Sequence, residues 1–162
     1  ALRQRPRRII VGEVRGKEAL DMIHAMTSGH DGSLTTLHAS GARMALNRLE
    51  VLAMSADANL APHVVRQMVG SGVDLVVHLA TFHRGDQEVR RLASLAFVAE
   101  NPEDPLGSPV VSEIATYRIV DDGWDWRPDA LVHMPEKVWR KLLVAGIDPE
   151  GMARQVLSDG RA

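Results

Sequence analysis

The first apolar positions of the chain form a short continuous run, Ile9 to Val11, between arginines and Gly12. A run of this kind is typical of a strand buried on both faces, as in parallel sheets. From Lys17 to Ser28 the apolar residues recur at helical spacing instead, and Gly29 follows as a stop signal. The pattern therefore predicts a strand followed by a helix.

Strands and helices continue to alternate through residue 79. Ser33 to His38 is rich in threonine and predicts a second strand, after which we expect Ser40 to cap a helix. Pro62 opens a further helix to about Gly70, and Asp74 to Leu79 is another apolar strand. This alternation predicts an α/β fold.

The pattern changes after this point. Gly85-Asp86 separates two strand-like segments and predicts an antiparallel hairpin. Val110 to Val120 suits a strand, and Pro135-Glu136 opens a last helix. We therefore divide the chain into an α/β part at residues 1–100, a proline-rich loop at 101–109, and an appendage of strand and helices at 110–162.

Composition limits the function more than the fold. The chain of 162 residues has a formal net charge of -2 and no long block of like charge, so we do not expect a nucleic-acid partner. It has no cysteine, which excludes thiolate metal sites. No apolar run approaches the ~20 residues of a membrane span, and we expect a cytoplasmic protein. The start at Ala1, almost directly before a strand, leads us to expect a piece of a longer chain.

The segment Gly12-x-x-x-Gly16-Lys17 superficially resembles a phosphate-binding P-loop. A P-loop needs four residues between its glycines, and a Ser or Thr after the lysine. Here three residues lie between the glycines and Glu18 follows the lysine, where a carboxylate repels phosphate. The segment is not a P-loop, and the chain holds no other candidate.

Glu13 is the first candidate for chemistry. It follows the predicted strand, and open α/β sheets bind their ligands beyond the carboxyl ends of strands. The alternative is a solvated loop acid that pairs with Arg15 or Lys17.

Two histidines, His30 and His38, flank a segment rich in hydroxyl side chains. An imidazole can donate to a phosphate oxygen, and backbone N–H groups near Gly29 and Gly32 can approach it closely. The alternatives are ordinary polar loop residues, or a metal site, for which no HExxH pattern is present.

Arginines on the predicted helices are a third group of candidates, namely Arg43, Arg48 and Arg66. Such side chains usually cover apolar surface or pair with neighbours such as Glu50. The sharper hypothesis is that one of them reaches the nucleotide of a neighbouring subunit.

The stretch RPRRIIVGEVRGKEALDMIHAMTSGHDGSLTTLHAS resembles the secretion ATPase superfamily, in particular the type II/type IV traffic ATPases of the tight-adherence pilus branch. Arg8 to Gly16 looks like that family's Walker B strand, and Thr27 to Ala39 looks like its His box. The likeness continues through Arg43 to Leu79 and thins beyond Asn101.

The resemblance implies the C-terminal half of a RecA-like α/β ATPase domain, with a partial sheet, antiparallel hairpin strands and a small helical tail. It implies a homo-hexamer that hydrolyses ATP to power secretion or pilus assembly. Such a motor would act at the cytoplasmic face of the inner membrane, against the platform proteins of the secretion system.

The same resemblance assigns roles to residues. Glu13 would orient or deprotonate the attacking water and help hold magnesium through water, and His38 would reach the γ-phosphate. Gly12, Arg15 and His30 would lie against the nucleotide. ATP and magnesium are thus the expected cofactors of the full-length protein.

The P-loop and acidic box of that family precede the Walker B strand and have no counterpart in this chain. We therefore expect the 162-residue chain alone to bind ATP poorly and to be inactive. Without its P-loop neighbour, strand Ile9 to Val11 would have an open edge, so we expect the chain to dimerise or exchange strands. A non-catalytic ring scaffold is the alternative function, followed by a histidine-based metal hydrolase.

Overall fold

The computed structural model describes residues 6–127, 129–132, 134–151 and 154–155. They belong to two compact units that interleave along the chain. One unit is drawn from Ala1–Val73 and Ala99–Val110, and the other from Asp74–Val98 and Val111–Ala162. The division of the chain into residues 1–100, 101–109 and 110–162, which was made from the sequence, stays a prediction.

The first unit alternates strands and helices as the sequence predicts. It holds β1 (Ile10–Val11), α1 (Glu18–Thr27), β2 (Leu34–Thr35), α2 (Ala42–Met54) and α3 (Pro62–Gly72). The two strands are parallel, with Ile10 opposite Leu34 and Val11 opposite Thr35. The three helices pack against one another. Their buried apolar side chains are Ala19, Met22, Ile23, Ala25, Ala42, Leu46, Leu49, Ala53, Val65 and Val69.

The ends of these helices follow local backbone signals, with one exception. Gly29 follows α1 in the left-handed region, at φ 85°, and Pro62 is the first residue of α3. The prediction that Ser40 caps α2 is wrong, because Gly41 occupies the N-cap position and makes no side-chain capping bond. A glycine has no side chain for this purpose, so the first N–H groups of α2 lack the usual cap.

Strand β1 is more exposed than its apolar run predicts. Ile10 is 72% exposed, so the expectation of a strand buried on both faces is wrong for this structure. The physical reason is the size of the sheet, which has only two strands within the described residues. The expected uncovered apolar surface is therefore present.

The second unit is built on an antiparallel sheet. Its strands are β3 (Leu75–Arg84), β4 (Gln87–Ala99), β5 (Val110–Arg118) and β6 (Gly123–Trp126), in the order β3-β4-β5-β6. Gly85, at φ 61°, lies in the tight turn between β3 and β4, which confirms the predicted hairpin. Two helices follow, α4 (Asp129–Val132) and α5 (Glu136–Val144).

The core of the second unit lies between the sheet and these helices. Phe97, Ile114 and Leu131 are buried together, and Leu95, Met134 and Val138 pack against them. The predicted antiparallel strands and helical tail are thus confirmed. Within the described ranges, none of the helices combines the length and apolarity needed to cross a membrane.

Candidate active site

Glu13 lies just beyond β1, and the backbone on both sides of it is held by Thr36, which directly follows β2. The hydroxyl of Thr36 donates to the carbonyl oxygen of Gly12 over 2.5 Å. The amide of Val14 donates to the carbonyl oxygen of Thr36 over 2.9 Å. The Val14 side chain is buried. Both peptide groups that flank Glu13 are therefore fixed.

The Glu13 carboxylate binds two basic side chains, one at each oxygen. Arg15 Nη2 lies 2.6 Å from Oε2, and His38 Nε2 lies 3.3 Å from Oε1. The Glu13 side chain is 25% exposed, whereas those of Arg15 and His38 are 75% and 85% exposed. The Glu13 side chain is therefore partly buried and less exposed than either of its two partners.

This arrangement keeps Glu13 ionised. The hydrogen bond from Arg15 lowers the pKa of Glu13 below its ordinary value, partial burial opposes this, and the charges of Arg15, His38 and Arg48 lower the pKa further. The same hydrogen bond raises the pKa of Arg15. At neutral pH the site therefore presents a carboxylate rather than a carboxylic acid.

The loop between β1 and α1 is anchored by the first residue of the helix. Glu18 Oε1 accepts from the amides of Arg15, at 2.7 Å, and Gly16, at 3.1 Å. These backbone hydrogen bonds lower the pKa of Glu18. The backbone of Arg15 is thus held in place, while its side chain is mostly exposed and contacts Glu13.

His30 belongs to the loop between α1 and β2. Its Nδ1 lies 3.4 Å from the hydroxyl of Ser28. The Ser33 hydroxyl donates to the His30 carbonyl over 2.7 Å and accepts from the amide of Ile9 over 3.1 Å. The loop is therefore tied to the start of β1. The ring of His30 makes its polar contact with Ser28, whereas Arg15 and His38 both contact Glu13.

Two residues of this site did not stand out in the sequence as partners of Glu13. Arg48 contributes positive charge near the carboxylate, whereas the sequence suggested that it covers apolar surface, pairs with a neighbour such as Glu50, or reaches a neighbouring subunit. Thr36 was part of a threonine-rich strand without a role. The register was the missing signal, because pairing of Ile10 with Leu34 places Gly12 opposite Thr36 two residues later.

The described residues form no cluster of metal ligands. No group of three or more His, Cys, Asp or Glu side chains comes together there as a metal site. A histidine-based metal hydrolase therefore has no ligand set in that part of the chain. Magnesium keeps several of its waters and needs only one or two carboxylates, so Glu13 fits it as a partner through water.

Comparisons with known proteins show which family the chain is similar to. The sequence profile described as "Type II/IV secretion system protein" matches residues 1–104. The conjugal transfer protein TrbB of Rhizobium radiobacter is 42% identical over 84 residues, which is 52% of this chain and 25% of TrbB. The type IV secretion system protein PtlH of Bordetella pertussis is 41% identical over 93 residues, 56% of this chain and 27% of PtlH.

A solved structure is similar as well. The crystal structure of the VirB11 ATPase from the Brucella suis type IV secretion system, in complex with sulphate, superposes with a TM-score of 0.54 at 32% sequence identity. The similarity covers 59% of this chain and 29% of that one. It confirms the predicted fold class, α/β with a partial RecA-like sheet. The matches to TrbB and PtlH span only 25% and 27% of those relatives' own length.

Proposed function

Because the chain belongs to the type II/IV secretion system protein family, we propose that it is part of a motor ATPase that powers secretion or pilus assembly by ATP hydrolysis. The observation that carries the proposal is the contact between Glu13 and His38, 3.3 Å apart. Two motifs that are separate in the sequence supply one site with a carboxylate and an imidazole. We further propose the tight-adherence branch, a homo-hexamer, and work at the cytoplasmic face of the inner membrane with platform proteins.

Glu13 is the proposed residue for the attacking water. Phosphoryl transfer depends mainly on positioning and on charge stabilisation, and an ionised carboxylate on a fixed backbone supplies a hydrogen-bond acceptor for water. The contact to His38, at 3.3 Å, is longer than the contact to Arg15, at 2.6 Å. Oε1 is therefore the oxygen that is more easily freed to accept a proton.

Arg15 and His38 are the proposed contacts to the phosphates. Both side chains are mostly exposed, so a small rotation takes them away from Glu13 without loss of buried packing. An arginine offers a fork of donors that matches phosphate oxygens. Gly12 and His30 remain proposed nucleotide contacts. Magnesium, held through water by Glu13, would neutralise phosphate charge when bound with the nucleotide.

The 162-residue chain on its own is proposed to bind ATP weakly and to be inactive. Its sequence holds no GxxxxGK[ST] segment, and the backbone cradle and lysine of that segment provide much of the attraction for phosphates. A titration of this chain with ATP and magnesium in a calorimeter is expected to give no saturation at micromolar concentration. Saturation in that range would contradict the proposal.

Self-association of the chain is a separate proposal. Ile10 and Leu34 are neighbours on the two-stranded sheet and are both exposed, which leaves an apolar surface for a second copy. Light scattering is expected to show dimers at high concentration, and fewer dimers for Ile10→Thr. Wild-type monomers at all concentrations would contradict this.

The experiment that tests the ATPase is Glu13→Gln in the full-length protein, with Glu103→Gln in the exposed loop as the matched control. We expect Glu13→Gln to lower ATP hydrolysis at least about a hundredfold and to leave ring assembly intact. The control is expected to match wild type. A ring scaffold predicts instead that Glu13→Gln supports secretion as well as wild type does.

A further inference from the structure

Just beyond β1 and β2, the hydrogen bonds between the two segments no longer follow the register of the ladder. At the start of the ladder, the amide of Leu34 donates to the carbonyl of Ile9 over 2.9 Å. If the ladder continued in this register, the amide of Glu13 would donate to the carbonyl of Thr36. In the structure the amide of Val14 makes that bond, at 2.9 Å. The β1 side therefore holds one extra residue.

Such an insertion is a β-bulge, a device that often lies beside active sites because it re-aims a side chain. Here the bulge spans Gly12 and Glu13. A bulge interrupts the ladder and leaves a peptide group without its regular partner. The lost bond is that of the Glu13 amide, and the Thr36 hydroxyl holds the same peptide group at its other end, since it donates to the Gly12 carbonyl over 2.5 Å.

We propose that Thr36 is a positioning residue for Glu13. The hydroxyl and the carbonyl of Thr36 together hold the bulge that aims the Glu13 carboxylate at His38. One residue binds the peptides on both sides of Glu13. It lies two positions before His38 in the same segment, so the residue that holds the acid and the imidazole that meets it share one backbone. The importance of this geometry for hydrolysis rests on the proposed function.

The exposure of Thr36 makes the contact informative. Thr36 is exposed, so its hydroxyl could form its hydrogen bonds with water. Burial does not force it to bond to a backbone carbonyl. Thr35 is the contrasting neighbour. Its hydroxyl makes only a long contact, 3.4 Å, to the carbonyl of Thr36.

The test compares Thr36→Val, which keeps the shape and removes the hydroxyl, with Thr36→Ser, which keeps the hydroxyl. Thr35→Val is the matched control. The measurement is the pKa of the Glu13 carboxyl by carbon NMR, on the 162-residue chain. We expect the pKa of Glu13 to rise toward its ordinary value in Thr36→Val, and to stay at the wild-type value in Thr36→Ser and Thr35→Val. An unchanged pKa in Thr36→Val overturns the proposal.

A second measurement needs no variant, and it decides the matter if Thr36→Val does not fold. Hydrogen exchange of the Val14 amide in the wild-type chain is expected to be slow, because that amide is bound to Thr36. Exchange at the rate of an unprotected amide overturns the proposal.

The kinetic arm uses the full-length protein. Thr36→Val is expected to lower kcat for ATP hydrolysis about ten- to a hundredfold with little change in KM, since a small displacement of the acid affects the reaction more than binding. Thr36→Ser is expected to restore kcat, and unchanged kcat in Thr36→Val overturns the proposal. If the wild-type protein does not hydrolyse ATP, the proposed function fails, while the pKa of Glu13 still decides the role of Thr36.

Discussion

Nε2 of His38 lies 3.3 Å from the carboxylate of Glu13, although the whole of α1 separates the two residues in the chain. The parallel pairing of β1 with β2 creates this contact, because it carries the ends of both strands to the same edge. A hypothesis in which acid and imidazole act on one substrate requires such proximity. Placement of the two side chains on opposite faces would have removed its basis.

Arg15 is expected to control the charge state of Glu13. Its hydrogen bond is the largest cause of the lowered pKa of Glu13, so Arg15→Gln should raise that pKa toward the ordinary value of 4.5. A lowered acid pKa stabilises the fold above the unfolded pKa, and this contribution is lost as pH falls through the folded pKa. Arg15→Gln should therefore show a smaller loss of stability on acidification.

Carbon NMR of the Glu13 carboxyl measures this effect directly. Arg43→Gln, an exposed change on α2, serves as the control and should leave the pKa of Glu13 unchanged. The same pKa in Arg15→Gln and wild type would show that the ion pair does not persist in solution.

Two glycines of the site should respond differently to alanine. A Cβ at Gly12 would meet no atom within 4 Å, so Gly12→Ala should change the free energy of unfolding by less than about 0.5 kcal/mol. Gly32 has φ 77°, and a Cβ there would lie 2.9 Å from Nε of Arg8. Gly32→Ala should therefore destabilise the fold by about 1 kcal/mol or more.

Urea unfolding of both variants provides these free energies. The comparison also isolates the proposed role of Gly12, because Gly12→Ala in the full-length protein should weaken ATP binding while the fold remains intact. Equal stability loss in the two variants would refute the structural part. Unchanged ATP affinity in Gly12→Ala would remove Gly12 from the nucleotide site.

The sequence predicts the order of elements well and their surroundings less well. Periodicity and stop signals identified α1 and α3 nearly to the residue, since Gly29 and Pro62 act locally. The burial of β1 could not be predicted in this way, because it depends on how many strands the sheet holds. Ser40 was misassigned as a cap because it lies one residue before Gly41, which occupies the N-cap position of α2.

The candidate site shows the same limit. The resemblance assigned Glu13 and His38 to one nucleotide, and the structure brings the two side chains into contact, whereas the pairing of Glu13 with Arg15 was only one of two alternatives. The role of Thr36 could not be predicted without the strand register. The bulge that gives Thr36 two contacts to the Glu13 segment does not show in the hydrophobic pattern of the sequence. Long-range pairing of this kind depends on tertiary structure rather than on local signals.

The packing of the three helices in the first unit should depend strongly on Ile23. Its side chain is fully buried on α1, so Ile23→Ala should lower the free energy of unfolding by about 2 to 5 kcal/mol. Val51→Ala on α2 is the control, because Val51 is exposed and its loss should cost less than about 0.5 kcal/mol. Thermal or urea unfolding measures both. A similar small loss for Ile23→Ala would mean that the helices are not packed as described.

The pair formed by the buried Glu50 and the partly exposed Arg66 should make stability depend on pH. Glu50 is 7% exposed, its Oε2 lies 3.4 Å from Nε of Arg66, and its Oε1 has no hydrogen-bond partner among the described residues. Burial raises the pKa of Glu50, and the charge of Arg66 opposes this. A raised acid pKa favours the fold most below the unfolded pKa, and that advantage is lost as pH rises through the folded pKa.

Arg66→Met removes the opposing charge and keeps most of the apolar stem. It should destabilise the protein by about 1 to 3 kcal/mol at pH 7 and by less at pH 4.5, because a lower pH favours the protonated form of Glu50, which needs no opposing charge. In a Glu50→Gln background the cost of Arg66→Met should no longer vary with pH between these values. Urea unfolding of the four proteins at both pH values checks this. A cost that is independent of pH with Glu50 present would show that the carboxylate finds another partner, and the pair would then have no role in the pH response.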